Sequence, residues 1–211
     1  MKPCHLFTVL LALFLVPAAL DAQTPEEIVK KMTSRLERSK TEGIEMDVNL
    51  KLPIVGTVKT HSKVRGDKMR SDIRKDGKYS VIWTDASTKW EYDAQGGVIT
   101  ISPLDDRDGA EQDKSDRSAF DSLDGGYALT LEKETDAAWF ILCRKTRGNK
   151  SKDDPKKIEL CVDKSTGLPI YLKTSKLLIS ISMENISVGV PESDVTFRPS
   201  EFPGATLIDK R

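Results

Sequence analysis

The sequence predicts a mainly β protein of the α+β class: one large antiparallel meander, curved or partly closed, with helices added. Three observations carry this. From residue 45 onward, apolar and polar residues alternate in run after run, giving strands with one buried and one wet face. Turns bearing glycine or aspartate, such as Asp76-Gly77, Gly96-Gly97 and Gly167, separate the runs. There is no βαβ alternation and no internal repeat, and the amphipathic helix comes first.

The chain opens like an export signal. Lys2 gives a positive start, "LFTVLLALFLV" (6–16) an apolar run and Pro17 a break, with cleavage expected after Ala22. The run is too short for a membrane span. Cys4 precedes it, so that thiol is not a lipid-bearing cysteine at the cleavage site. The expected organisation is a signal peptide over 1–22 and one domain over 23–211, exported, soluble and not lipid-anchored.

The domain begins "TPEEIVKKMTSRLERSK". Thr24 suits the N-cap, Pro25 the first helical position, and Glu27 completes a capping box. Ile28, Met32 and Leu36 recur every four residues beside Val29, an apolar stripe that needs an apolar partner. In "EMDVNLKL" the period becomes two, with Met46, Val48, Leu50 and Leu52 on one face. Further strands are expected near 55–64, 68–75, 78–84, 88–93, 97–102, 127–133, 137–146, 156–163, 168–175 and 177–188. The polar stretch 103–126 reads as a loop and a short helix at 115–123, since a structureless loop of that length is unusual. A helical turn is expected at "PESD" (191–194), then a last extended segment at 195–198.

Composition bounds the function. The 211 residues are 38% hydrophobic and 31% charged, as in one globular domain. Lys plus Arg and Asp plus Glu both total 33, without the basic excess that nucleic acid selects. Once the signal is removed, His61 is the sole histidine and reads as a surface residue. The chain lacks H-E-x-x-H, a cysteine cluster, a G-x-S-x-G elbow and a phosphate-binding loop. "DDRDG" (105–109) lacks the spacing and terminal Glu of a calcium loop. No enzyme activity, metal or cofactor is expected. Cys143 and Cys161 flank a hydrophilic loop almost symmetrically, so a regular hairpin would set them nearly opposite for a structural disulfide; two unpaired strand thiols are the alternative.

"TDASTKWEYD" (84–93) places Trp90 and Tyr92 on one strand face, with Trp83 just before the turn. These rings could fill a core, line a cavity or shape a cleft. The same stretch resembles the S-D-G-K-T-L-W-x-Y element of the periplasmic lipoprotein carriers of the LolA family, with Asp85, Thr88, Trp90 and Tyr92 in matching places. "KVRGDKMRSD" is similar to that family's V-K-R-P-N/D-x-F-R-W segment through Arg65, Asp67 and Arg70. "VTFRPSEFPGATLIDKR" is similar to its C-terminal pattern through Phe197, Pro199, Gly204 and Asp209. Ala86 stands where the family has a turn glycine, and a positive φ there would strain it.

The resemblance implies an incomplete antiparallel barrel, with the N-terminal amphipathic helix and short helices as a lid over an apolar face. It implies a cavity for acyl chains lined by Ile28, Met32, Leu36, Met46, Val48, Leu50, Leu52, Trp83, Trp90 and Tyr92, with Arg65 as the lid latch. It further implies a monomeric periplasmic carrier of lipoprotein acyl chains or other lipid, moving cargo from an inner-membrane donor complex to an outer-membrane acceptor. A lipid- or lipoprotein-sensing module of the same fold, signalling through a protein partner, is the alternative. An alternating apolar strand is most often plain core, and that reading stands beside the cavity.

Overall fold

The computed structural model describes residues 23–104, 123–152, 154–176 and 178–211. The expected signal peptide and the helix at 115–123 lie outside these residues, apart from Leu123. Helix α1 (Pro25–Leu36) starts as its sequence dictates. Thr24 Oγ1 accepts from the Glu27 amide at 3.2 Å, and Glu27 Oε2 accepts from the Thr24 amide at 3.0 Å. A short α2 (Ser39–Glu42) ends at Gly43, whose φ of +84° only glycine adopts freely. A Cβ there would lie 2.7 Å from the Val64 carbonyl oxygen and 2.9 Å from Val190 Cβ, so this close crossing requires glycine.

Two meanders follow. The first comprises β1 (Ile44–Leu52), β2 (Gly56–Arg65), β3 (Lys68–Lys75), β4 (Lys78–Thr84), β5 (Thr88–Asp93) and β6 (Val98–Pro103). After α3 (Leu123–Gly126) comes the second: β7 (Tyr127–Glu134), β8 (Ala138–Lys145), β9 (Lys157–Asp163), β10 (Pro169–Lys176) and β11 (Ile179–Val188). Strand β11 pairs antiparallel with β1, joining both meanders into one open sheet that does not close into a barrel. Helix α4 (Glu192–Val195), a 3₁₀ turn (Pro199–Glu201) and β12 (Thr206–Asp209) complete the chain. The helical turn at "PESD" is thus present, shifted by one residue. The final strand falls at 206–209 rather than 195–198, and it pairs parallel with β6.

Register decides which side chains share a face. Met46 pairs with Ser62, Ser62 with Ser71, Ser71 with Ile82 and Ile82 with Glu91. One row along, Glu45, Lys63, Arg70, Trp83, Trp90 and Ile101 form the neighbouring cross-strand row. Adjacent rows point to opposite faces. Trp83, Trp90 and Tyr92 therefore lie on the face opposite Met46, Val48, Leu50 and Leu52, and the expected common lining is corrected.

The disulfide is corrected as well. Cys143 pairs with Ile158, whereas Cys161 pairs with Phe140, an offset of three residues along the ladder. An odd offset puts the two thiols on opposite faces, so they cannot bridge, and both are free and buried. Burial pushes the Cys143 thiol up to about 12 and raises that of Cys161, which leaves both chemically quiet.

Candidate functional site

The face bearing α1 carries two long apolar rows. One runs Ile73, Thr60, Val48, Met183, Leu172, Leu160, Ile141, Leu131 across eight strands. The other runs Val58, Leu50, Ile181, Thr174, Ile158, Cys143, Leu129. Eight strands span roughly 34 Å, while a helix the length of α1 reaches about 18 Å. The helix therefore covers only part of the face.

Its cover divides the face into two zones. Beneath Ile28, Val29, Met32 and Leu36 lies a closed core that includes Met46, Tyr127, Ile141, Leu160, Leu172 and Ile186. Met32 is fully buried and Ile28 is 2% exposed. Beside the core, Val48, Leu50, Leu52, Val58, Ile73, Ile181 and Met183 are only half-buried. This strip over β1–β3 and β11 is the candidate site. Of the residues expected to line a cavity, Val48, Leu50 and Leu52 lie in the strip. Ile28, Met32, Leu36 and Met46 belong to the adjoining closed core.

Sequence reasoning missed Val58, Ile73, Ile181 and Met183. The alternation of Ile179, Ile181 and Met183 with serines and Glu184 was a usable signal. Val58 and Ile73 were harder to see, because Thr60 and Ser62 share the same face and blur the pattern.

The opposite face has its own cover. The segment from Val190 to Gly204 crosses it as a strap. Phe197 meets Trp83 edge-on at 5.3 Å and stacks on Trp90 at 5.4 Å, while Phe202 lies 5.4 Å from Trp83 and 4.3 Å from Tyr92. Trp83 is fully buried, and its indole Nε1 has no hydrogen-bond partner among the described residues. These aromatics fill a small core instead of lining a cavity.

Cations from β2 and β3 pin the strap. Lys63 reaches Asp194 at 2.8 Å, Lys68 reaches Glu192 at 2.5 Å, and Arg70 reaches Glu201 at 3.0 Å while also binding Asp72 and lying over the Trp83 ring. The hydrogen bond from Lys63 holds the Asp194 carboxyl below its ordinary range, and the same bond raises Lys63. His61, expected at the surface, is half-buried and spans Asp47 at 2.7 Å and Glu45 at 3.0 Å.

Arg65 ties the strap to the short helix that follows α1. Its guanidinium donates to the Val190 carbonyl at 2.5 Å and to the Glu42 carbonyl at 3.5 Å. The Val190 amide donates to the Glu42 carbonyl as well, at 2.8 Å. Arg65 thus holds the end of α2 to the start of the strap, and among the described residues it makes no hydrogen bond to α1.

The turn of "TDASTKWEYD" is built by a side chain. Asp85 Oδ1 accepts from the amides of Ser87 at 2.9 Å and Thr88 at 2.8 Å. Ala86 is not among the residues with positive φ, so no glycine is needed there.

The opposite face also has a polar groove of about 450 Å³, bordered by Asn49, Lys51, Lys157, Glu159, Lys173 and Glu184. Two of its lysines pair internally, Lys157 with Glu159 at 2.7 Å and Lys173 with Glu184 at 3.2 Å, while Lys51 has no ion-pair partner among the described residues. No His, Cys, Asp and Glu grouping fit for a metal occurs among the described residues, and no helix among them is long and apolar enough to cross a membrane.

These features define an open antiparallel sheet with a half-covered apolar strip beside a single amphipathic helix. No family model matches the chain, and no curated protein matches it. Among solved structures it is similar to an uncharacterised conserved protein from Thermus thermophilus, with 16% identity, 89% of this chain and 100% of that one covered, and a TM-score of 0.44. A DUF1329 family protein from Desulfovibrio piger aligns at 13% identity over 85% of this chain and 100% of that one, with a TM-score of 0.34. A LolA superfamily protein from Nitrosomonas europaea aligns at 12% identity over 83% and 99%, with a TM-score of 0.29. All three scores fall below one half, and the functional reading rests on the chain's own geometry.

Proposed function

We propose that the protein binds apolar chains, the acyl groups of lipids or lipoproteins, on the strip beside α1 and transfers them without covalent chemistry. One observation carries the reading. A half-buried apolar strip of Val48, Leu50, Leu52, Val58, Ile73, Ile181 and Met183 runs directly into a core roofed by one helix. Each methylene taken from water contributes about 0.8 kcal/mol, so even partial cover of a chain gives useful affinity. Among the described residues, no side chain of α1 makes a hydrogen bond or ion pair to the sheet. The helix gives up only apolar contact when it shifts, and an acyl chain supplies apolar contact in return. Flexible Met32, Met46 and Met183 suit such repacking. The sequence resemblance to periplasmic lipoprotein carriers names the same ligand class and supports an exported carrier.

Two measurements test this. Mass spectrometry of native preparations should find bound lipid, and the stripped protein should take up a fluorescent fatty acid. Leu50→Asp places a charge in the strip and should weaken uptake by about tenfold or more. Preparations without lipid, combined with no uptake by the parent protein, would remove the proposal.

A further inference from the structure

One end of the sheet differs sharply from the other. The β1–β2 tip presents Ile54, 97% exposed, and Val55; the β10–β11 tip presents Leu178, 75% exposed, and Ile179. Lys51 pairs with Ser180 across β1 and β11, so these two hairpin tips are neighbours at the same end of the sheet. Solitary exposed apolar residues are common, but four on adjacent tips form a patch.

Its surroundings are basic. Lys51 and Lys176 flank the two tips, Lys75 and Lys78 flank the next turn, and Lys152 lies beside Lys176, whose Nζ donates to the Lys152 carbonyl at 2.8 Å. None of these five lysines has an ion-pair partner among the described residues. Carboxylates at the same turns are Asp76, beside Gly56 at the β1–β2 tip, and Asp154, which accepts from Asn149 Nδ2 at 2.7 Å in the loop that carries Lys152. The turns at the far end instead carry Asp67, Asp85, Asp136 and Asp163, and Ile170, 42% exposed, lies just inside strand β10 beyond the last of them. Apolar tips ringed by unpaired lysines complement a surface that is apolar inside and anionic outside.

We propose that the β1–β2 and β10–β11 tips dock this end of the sheet onto an anionic lipid bilayer. Ile54 and Leu178 enter the acyl boundary, and the lysines face the headgroups. The docked end is also where Leu52 and Ile181 bring the apolar strip toward the tips, although docking itself does not depend on the strip binding a ligand.

Flotation of the purified full chain with vesicles tests this, using phosphatidylcholine alone or mixed with phosphatidylglycerol. The chain should float with the anionic vesicles, less so as salt rises, and remain behind with the neutral ones. Ile54→Asp with Leu178→Asp should weaken binding by about tenfold or more. Both side chains are exposed, so the variant should keep the parent's melting temperature and its uptake of a fluorescent fatty acid in solution. Lys51→Gln with Lys176→Gln should reduce only the salt-sensitive part. Failure of the parent to bind anionic vesicles, or equal binding by the aspartate variant, would overturn the proposal. So would a parent that is dimeric by light scattering and becomes monomeric on the aspartate substitutions, which would assign the patch to a second copy. Loss of docking with fatty-acid uptake intact leaves the carrier reading standing, and the reverse result separates the two in the other direction.

Discussion

The two covers of this sheet are held by different forces. Helix α1 meets its face through Ile28, Val29, Met32 and Leu36, and apolar burial has no preferred direction. The strap meets the other face through stacked and edge-on rings and through ion pairs at Asp194, Glu192 and Glu201. A contact of the first kind can be exchanged for any apolar body of similar shape. A contact of the second kind is lost when its geometry changes. On the proposed function, ligand exchange belongs to the helical side and closure of the fold to the strap, whose start Arg65 ties to the end of α2.

Truncation on each side gives the largest test. Trp83→Ala should cost about 3–5 kcal/mol and Met32→Ala about 2–5 kcal/mol in denaturant unfolding, since both side chains are fully buried. Stability alone does not separate the faces; ligand binding does. Met32→Ala should change the affinity for a fluorescent fatty acid, whereas Trp83→Ala should leave it unchanged wherever the variant is still folded. Loss of binding in folded Trp83→Ala protein would break the division between the faces.

The faces themselves show where sequence reasoning ends. Alternation within a strand was plain in "EMDVNLKL", and the capping box at Thr24 and Glu27 was readable because both signals are local. Whether Trp83 shares a face with Met46 depends on three successive hairpin registers, β1–β2, β2–β3 and β3–β4. A change of one residue in any of those turns reverses the answer. Cys143 and Cys161 failed for the same reason, because loop symmetry in sequence does not fix ladder parity. Phe197 and Phe202 belong to no periodic run, so only the folded chain reveals what they cover. Strand β12 is four residues long and pairs parallel with β6, a non-local contact without a local pattern. In the candidate site, the residues of β1 were legible, while those of β2 and β3 were diluted by threonine and serine on the same face.

Weakening the clamp should have a smaller effect confined to one side. Arg70→Met removes the pairs to Asp72 and Glu201 and the charge over Trp83, together worth about 1–2 kcal/mol. A double-mutant cycle with Glu201→Gln should assign up to about 1 kcal/mol to that pair. Fatty-acid binding should not move in either variant. If it does, the strap and the strip are coupled, and the contrast between the covers must be redrawn around Arg65.

The smallest expected effect is the response of the strap to acid. Lys63 holds the Asp194 carboxyl below its ordinary range, and Lys68 does the same for Glu192. A carboxylate whose folded-state pKa is depressed stabilises the fold above its unfolded value, and that contribution is lost as pH falls through the folded value. Lys63 is raised by Asp194, so its share persists at neutral pH and disappears only when pH climbs through a value above the ordinary lysine range. The clamp should therefore hold across the neutral range and slacken below about pH 4, where carboxylates protonate. Trp83 and Trp90 report this together, because water reaching the rings that Phe197 covers shifts their emission to the red. Trp139, the tryptophan on the helical face, is removed from the signal as Trp139→Phe. Asp194→Asn combined with Glu192→Gln should abolish most of the acid step while Asp209→Asn, at the chain end and paired with Arg211, should leave it in place. An acid step of the same size in the double variant would show that these two pins do not hold the strap, leaving Arg70–Glu201 and the burial of Phe197 and Phe202 to do so.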